Sequence, residues 1–218
     1  MKVITLCTVL YCFTTNIYAN NVNQLHFDEA LLTIQKQWTE ANYVKTKKAQ
    51  KNEFTELQQQ SSKLTTEFPK HAEAWIWRGI IQSSFAGVKG GLGALSLVDD
   101  AKSSFETALS LDETALQGSA HTSLGILYLK VPGWPISFGD EDKSEQHLKA
   151  AVKMNPEGID INYFLAEFYF EQDKYEKAKE HLLIAQAAPQ RVNRENADKF
   201  RQQEVSDLLN QVNNSLVK

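Results

Sequence analysis

Apolar residues recur at intervals of three and four along most of the chain, and residues that break helices fall between these stretches. This spacing places apolar side chains on one face of a helix, whereas strands would show strict alternation. The 218 residues include only 10 glycines and 5 prolines, which favours long helices joined by short turns. The pattern therefore predicts an all-α protein built of paired helices.

One segment fits a helical repeat of about 34 residues, with W-x2-L-G-x2-Y in its first helix and A-x3-F in its second. From residue 159 onward the repeat positions are filled by Leu165, Ala166, Tyr169, Ala178 and Leu182. We expect the small residues Ala166 and Ala178 where the paired helices cross. The segment resembles the tetratricopeptide-repeat (TPR) family, and this resemblance implies a solenoid of helical hairpins.

Weaker copies precede this segment. One carries Leu124, Gly125, Tyr128, Ser144 and Leu148, with about seven extra residues inserted between its helices. An earlier copy opens at Trp75 and Gly79 and carries an insertion within the glycine-rich stretch 86–95. We predict one domain, 20–218, of three to four hairpins at about residues 25–70, 72–113, 116–156 and 159–190, with a capping helix at 194–216.

Residues 1–19 have the layout of a secretory signal peptide: Lys2, an apolar stretch from Val3 to Phe13, and Ala19 at the expected cleavage point. The apolar stretch is shorter than the ~20 residues that a membrane span requires. We therefore predict a periplasmic or secreted protein, cleaved near Ala19, with no membrane span. Both cysteines lie within the leader.

Several classes of function are disfavoured. The net charge of −4 argues against a nucleic-acid partner. The five histidines lack the i, i+4 spacing of a metal site, and no G-x-S-x-G motif positions a nucleophile. The glycines at 87, 90, 91 and 93 are not followed by Gly-Lys-Ser or Gly-Lys-Thr, so we interpret them as a tight turn between helices. We expect no metal, no cofactor and no enzymatic activity.

Four segments resemble a narrower family, the T-component of tripartite ATP-independent periplasmic (TRAP) transporters. They are GGLGALSL at 90–97, LGILYLKVPGWPISFGD at 124–140, MNPEGIDINYFLAEF at 154–168 and APQR at 188–191. The resemblance implies a periplasmic protein that associates with itself, contacts a substrate-binding protein and helps to present a small apolar ligand. The chain differs from that family in lacking a lipoprotein cysteine.

The TPR resemblance also implies which residues of each first helix face the concave groove. Carried onto this chain, they are Glu73, Ile76, Ile80, Ser83, Ser84, Ser119, Thr122, Ile126, Leu129, Lys130, Asp160, Tyr163, Glu167, Phe170 and Glu171. We expect a partner with apolar surface and positive charge to bind through Tyr163, Glu167, Phe170, Ile126, Thr122, Ile76 and Ile80, together with Trp134. The alternative is that Tyr163, Phe170 and Ile126 belong to the core.

Two further features carry predictions. The stretch 130–140 cannot continue a helix because of its prolines, so Trp134 either forms part of a lid or contact surface or fills the gap between hairpins with Phe138, while Asp140 caps the next helix. Asp198 and Arg201 are one helical turn apart and are expected to form an ion pair.

Two uses of the concave face stay open at this point. One is a scaffold that binds another periplasmic protein or a peptide in an open groove. The other is an accessory transport component that holds a small apolar ligand in a closed pocket.

Overall fold

The computed structural model describes the backbone of residues 4–217 and the side chains of residues 22–217. The predicted signal peptide lies outside the residues whose side chains are described and stays a prediction. The described backbone is helical apart from turns, one loop and a single isolated bridge. The helices are α1 (Ile4–Thr39), α2 (Lys47–Glu67), α3 (Ala72–Lys89), α4 (Leu92–Leu111), α5 (Ala115–Lys130), α6 (Glu141–Met154), α7 (Ile159–Glu171), α8 (Tyr175–Ala187) and α9 (Glu195–Leu216), with a π-helical segment at Glu40–Val44 after α1.

Consecutive helices pack in pairs, α3 with α4, α5 with α6 and α7 with α8, and α9 packs on α8. The close approach rests on small residues, as the repeat pattern predicts. A Cβ atom added to Gly79 would lie 2.5 Å from the ring of Phe105, and one added to Gly125 would lie 2.6 Å from Leu148. The all-α hairpin solenoid with a C-terminal helix is thereby confirmed.

The turn between α3 and α4 consists of Gly90 and Gly91 alone. Both have positive φ, 64° and 59°, which L side chains rarely adopt, so the interpretation of these glycines as a tight turn is correct. Gly87 and Gly93 lie within helices instead. The expected insertion is therefore not a loop: α3 and α4 extend to 18 and 20 residues, against 13 each for α7 and α8.

The insertion between α5 and α6 forms an ordered loop, residues 131–140. Backbone amides of Gly139 and Asp140 donate to the carbonyls of Pro132 and Tyr128, both at 3.0 Å. The Asp140 side chain accepts from the amide of Lys143 at 3.0 Å, which confirms the predicted helix cap.

The two ends of the solenoid meet. Tyr43, in the π-helical segment, stacks on Phe200 of α9 with ring centroids 4.7 Å apart and planes inclined by 8°. The Tyr43 hydroxyl also donates to Glu204 at 3.4 Å. The π-helical segment that follows α1 is thus in contact with the last described helix, α9. None of the described helices combines the length and the apolar character that crossing a membrane requires.

Candidate functional site

A cavity of about 1070 Å³ occupies the concave side of the solenoid. Its apolar walls come from five helices, α1, α3, α4, α5 and α7, because successive hairpins curve around the same space. They include Trp38 of α1, Trp77 and Ile80 of α3, Leu95 and Val98 of α4, Ile126 and Leu127 of α5, and Ile159 and Phe164 of α7. Such a volume is at the upper end of the range for sites that bury a small organic molecule.

Hydroxyl side chains give the cavity a polar component. Ser83 and Ser84 of α3 and Ser119 and Thr122 of α5 lie in the lining. Ser84 accepts a hydrogen bond from the Trp38 indole at 3.0 Å, which fixes the orientation of that ring. The walls are therefore mainly apolar with a few placed hydrogen-bonding groups, the usual composition of a small-molecule site.

Three arginines, from the segment before α9 and from α9 itself, also line the cavity: Arg191, Arg194 and Arg201. Asp160, at the start of α7, pairs with Arg191 at 2.7 Å and with Arg201 at 2.8 Å. Burial acts to raise the pKa of Asp160, but the guanidinium groups of Arg201 and Arg191 hold it well below the usual range. This carboxylate stays ionised and fastens α7 to the last helix.

The remaining acids in this network are also engaged. Asp198 pairs with Arg191, and Glu204 pairs with Arg201 at 2.7 Å. The expected ion pair between Asp198 and Arg201 is therefore wrong. The turn before α9 brings Arg191 back to Asp198, where the carboxylate also accepts the Arg191 amide at 2.7 Å, while Arg201 points to Asp160 instead.

The structure brings some of the predicted groove residues together. Ile80, Thr122 and Ile126 line the cavity, as do Ser83, Ser84, Ser119, Lys130 and Asp160. Their role in binding stays a prediction. Ile76 does not belong with them, because its side chain is fully buried in a small core cluster with Ala72 and Ala108.

Tyr163, Glu167 and Phe170 lie outside the cavity lining. Tyr163 lies under the guanidinium of Arg201, 4.5 Å from its ring centroid, and Phe170 packs on the core cluster of α7 and α8. Glu167 is paired with Lys130 at 3.1 Å. Burial raises the pKa of Tyr163, as expected for a phenol enclosed among neighbours. Their placement agrees with the alternative that Tyr163 and Phe170 are core residues, and the part of all three residues in binding stays a prediction.

Trp134 lies away from the cavity, at the tip of the loop 131–140. It is 89% exposed and its neighbour Ile136 is 66% exposed. The gap-filling alternative is therefore wrong for Trp134, but it is correct for Phe138, which packs edge-on against Tyr128 with ring centroids 5.5 Å apart. One aromatic residue anchors this loop while the other projects from it.

The sequence reasoning missed Trp38, Tyr43, Trp77 and Arg194. Trp77 follows Ile76 directly, so the set of groove-facing residues predicted on α3 was wrong by one residue at its N-terminal end. The α3 residues that line the cavity include a set at spacings of three and four: Trp77, Ile80, Ser84 and Gly87. That helical spacing was a signal available in the sequence, whereas nothing local indicated that Tyr43 would meet α9.

A histidine pair lies on the opposite side of α5, outside the cavity lining. The Nδ1 atoms of His121 and His147 are 2.8 Å apart, and His121 Nε2 is 3.0 Å from Glu113. Burial, and then the proximity of His121, lowers the pKa of His147. Among the residues with described side chains, no group of His, Cys, Asp or Glu has the arrangement of a metal site.

This architecture is that of a TPR solenoid. The Tetratricopeptide repeat family model matches residues 136–199. A crystal structure of a thermophilic TPR protein from Thermus thermophilus is similar, with 15% identity and a TM-score of 0.53 over 88% of this chain and 94% of that one. At this identity the likeness concerns the fold. No curated protein matches the chain. Proteins built of these repeats are typically non-catalytic scaffolds for protein interactions, with extended concave binding surfaces.

Proposed function

We propose that this chain is an exported, non-catalytic TPR scaffold that holds a small, largely apolar ligand in its concave cavity and presents it to a protein partner in the periplasm. The observation that carries the proposal is the contact of Tyr43, a residue of the cavity lining, with Phe200 of α9, which bridges the two ends of the solenoid. An open groove would favour an extended peptide, whereas a bridged cavity with aromatic and aliphatic walls favours a compact guest.

The resemblance to the T-component of TRAP transporters supports the same proposal. All four segments that carry it contribute to the cavity lining, among them Leu95, Ile126, Ile159, Phe164 and Arg191. An accessory transport role would therefore use the cavity itself. Self-association and a substrate-binding partner remain part of this proposal.

The proposal is tested with N-phenyl-1-naphthylamine, an apolar dye that fluoresces when it leaves water. We expect the purified protein to bind the dye and the variant Ile126→Trp to lose at least about 10-fold in affinity, because the larger ring occupies the cavity. Leu183→Trp is the matched control, since Leu183 is exposed on α8 and outside the lining. Equal dye binding by all three proteins would exclude the cavity as the binding site.

A second candidate is a scaffold that binds a protein partner without any small ligand. The exposed Trp134 favours it, because tryptophan side chains are frequent anchors of protein interfaces. We expect Trp134→Ala to keep its melting temperature and to weaken partner capture from periplasmic extract by about 2 kcal/mol. Undiminished capture by Trp134→Ala would place the partner surface elsewhere.

A further inference from the structure

Two residues of the cavity lining each carry a buried hydrogen-bond donor that has no acceptor among the described residues. The donors are Nη1 of Arg194 and the indole Nε1 of Trp77. The two side chains are in contact, with the guanidinium carbon of Arg194 4.9 Å from the Trp77 ring centroid. Because buried polar groups in native proteins are nearly always satisfied, two adjacent unpaired donors require an explanation.

The neighbouring acids do not supply the acceptor. Asp160, Asp198 and Glu204 are each engaged by Arg191 or Arg201, and no described carboxylate lies within ion-pair distance of Arg194. Burial, and then repulsion from Arg191, lowers the pKa of Arg194. Nη1 of this guanidinium is therefore enclosed by the protein, beside another cation and without a carboxylate of the described residues in contact.

The cavity lining is also positive on balance, although the chain as a whole has a net charge of −4. Its charged members are the cations Lys130, Arg191, Arg194 and Arg201 and the acids Glu157 and Asp160. Lys130, Arg191 and Arg201 each pair with an acid. Arg194 has no such partner among the described residues, so an anion beside it would be favoured, because charge interactions strengthen where solvent is excluded.

We propose that Arg194 binds the anionic head group of an amphipathic ligand, a carboxylate or a phosphate, whose apolar body fills the rest of the cavity. This inference rests on the proposed ligand-holding function and names the class of ligand. The planar guanidinium presents parallel N–H donors that match the oxygens of either group. The Trp77 indole N–H supplies a further donor beside it, and the ring face supports the guanidinium.

The apolar body has suitable walls. Trp38, Val98, Ile126 and Phe164 line the same cavity from four different helices. A ligand with a charged head and an alkyl or aryl body would therefore satisfy the unpaired donors and cover the apolar walls together. A fully apolar ligand would leave both donors unsatisfied and would lack the binding free energy that an anion gains from them.

The test compares three probes with the same ten-carbon chain: decanoate, decyl phosphate and decanol. Binding to the purified protein is measured by displacement of the apolar dye and by calorimetry. We expect at least one anion to bind about 10- to 100-fold more tightly than decanol, as a hydrogen bond to a charged group allows. The comparison of decanoate with decyl phosphate identifies the preferred head group.

Arg194→Met removes the charge while keeping an unbranched apolar side chain in place of the aliphatic part of arginine. We expect this variant to bind the anions and decanol with similar affinity, and decanol binding shows that its cavity has folded. Arg194→Lys should retain part of the preference for anions. Arg78→Met is the matched control, because Arg78 also lies over a tryptophan ring but is outside the cavity lining.

The outcomes separate this inference from the function on which it rests. Equal binding of all three probes to the unaltered protein would overturn the assignment of an anionic head group and leave the ligand-holding function standing. A preference for anions that survives in Arg194→Met would overturn the role of Arg194. If no probe and no dye binds, the ligand-holding function fails, and this inference fails with it.

Discussion

At the scale of single residues, the hairpins depend on positions where no side chain fits. Gly79 of α3 faces the ring of Phe105 and Gly125 of α5 faces Leu148, and both partners are fully buried. Ala166 and Ala178 are likewise fully buried in the pair α7 and α8. Since the partners have no free space to move into, any added atom must push the helices apart.

We expect Gly79→Ala to lower the free energy of unfolding by about 1 to 2 kcal/mol, because overpacking outweighs the gain in helix propensity. Gly87→Ala, in the same helix, is the control: a Cβ there meets nothing within 4 Å. It should raise stability by about 0.5 to 1 kcal/mol. Urea unfolding measures both, and the same sign for the two variants would contradict the close contact at Gly79.

Replacing Ser144 by alanine should raise stability, the opposite of the effect expected for Gly79→Ala. Ser144 is fully buried at the place where the repeat usually has alanine, and its hydroxyl has no partner among the described residues. Ser144→Ala should therefore raise the free energy of unfolding by about 1 kcal/mol, because an unsatisfied polar group is removed. Ser103→Ala, at an exposed position of α4, controls for helix propensity and should gain about 0.5 kcal/mol or less. A loss of stability in Ser144→Ala would indicate a hydrogen bond to ordered water.

At the scale of elements, α9 is fastened to α7 by one carboxylate. Asp160 accepts from both Arg191 and Arg201, and its side chain is 31% exposed while that of Arg201 is 9% exposed. Removing the carboxylate leaves a buried guanidinium with less compensation, which is more damaging than losing an exposed pair.

We expect Asp160→Asn to lower the free energy of unfolding by about 3 kcal/mol, the lower end of the range for buried pairs, because Asp160 retains some exposure. Glu106→Gln is the control: it breaks the exposed pair between Lys102 and Glu106 on α4 and should change stability by less than about 0.5 kcal/mol. Urea unfolding at pH 7 compares the two. Similar small losses in both variants would show that the network adds little to stability.

The histidine pair joins α5 to α6 and predicts a dependence on pH. Because the pKa of His147 is lowered in the folded protein, the unfolded chain takes up a proton first as the pH falls. Stability should therefore be full above about pH 6.5 and decrease below it. Glu113 and Glu106 face the pair with negative charge, and Lys143 with positive charge.

We expect the unfolding free energy of His147→Gln to fall less between pH 7.5 and about pH 5.5 than that of the unaltered protein. The pKa of His181 is also lowered by burial, so the fall should be smaller still in the double variant that also carries His181→Gln. Urea unfolding at intervals of pH measures the slope. An unchanged slope in both variants would show that other groups determine it.

The helices were more predictable from the sequence than the site that they build. The repeat pattern identifies which residues must be small, so the crossing residues Gly79, Gly125 and Ala178 could be located from spacing alone. Which face of a first helix points into the cavity depends on how all of the neighbouring hairpins pack. The sequence therefore predicted Ile76 in the groove, whereas Ile76 is a core residue and its neighbour Trp77 lines the cavity.

At the scale of the whole molecule, the cavity exists because the curvature of successive hairpins brings the two ends together. That curvature is a sum of small rotations, one for each hairpin, and no short segment of sequence encodes it. The contact between Tyr43 and Phe200, which lie far apart in the sequence, is its most direct consequence.

Closure in solution can be measured with a double-mutant cycle on Tyr43→Ala and Phe200→Ala. Aromatic pairs contribute about 0.5 to 1.5 kcal/mol beyond the area that they bury. We therefore expect the loss of unfolding free energy in the double variant to be smaller than the sum of the two single losses by that amount. Tyr43→Ala combined with Phe138→Ala is the control pair, because Phe138 packs on Tyr128 in another part of the fold and its effect should be additive within about 0.5 kcal/mol. Urea unfolding of all variants supplies both cycles. Additivity in the first cycle as well would mean that the ends stand apart in solution, and the concave face would then be an open groove suited to a peptide.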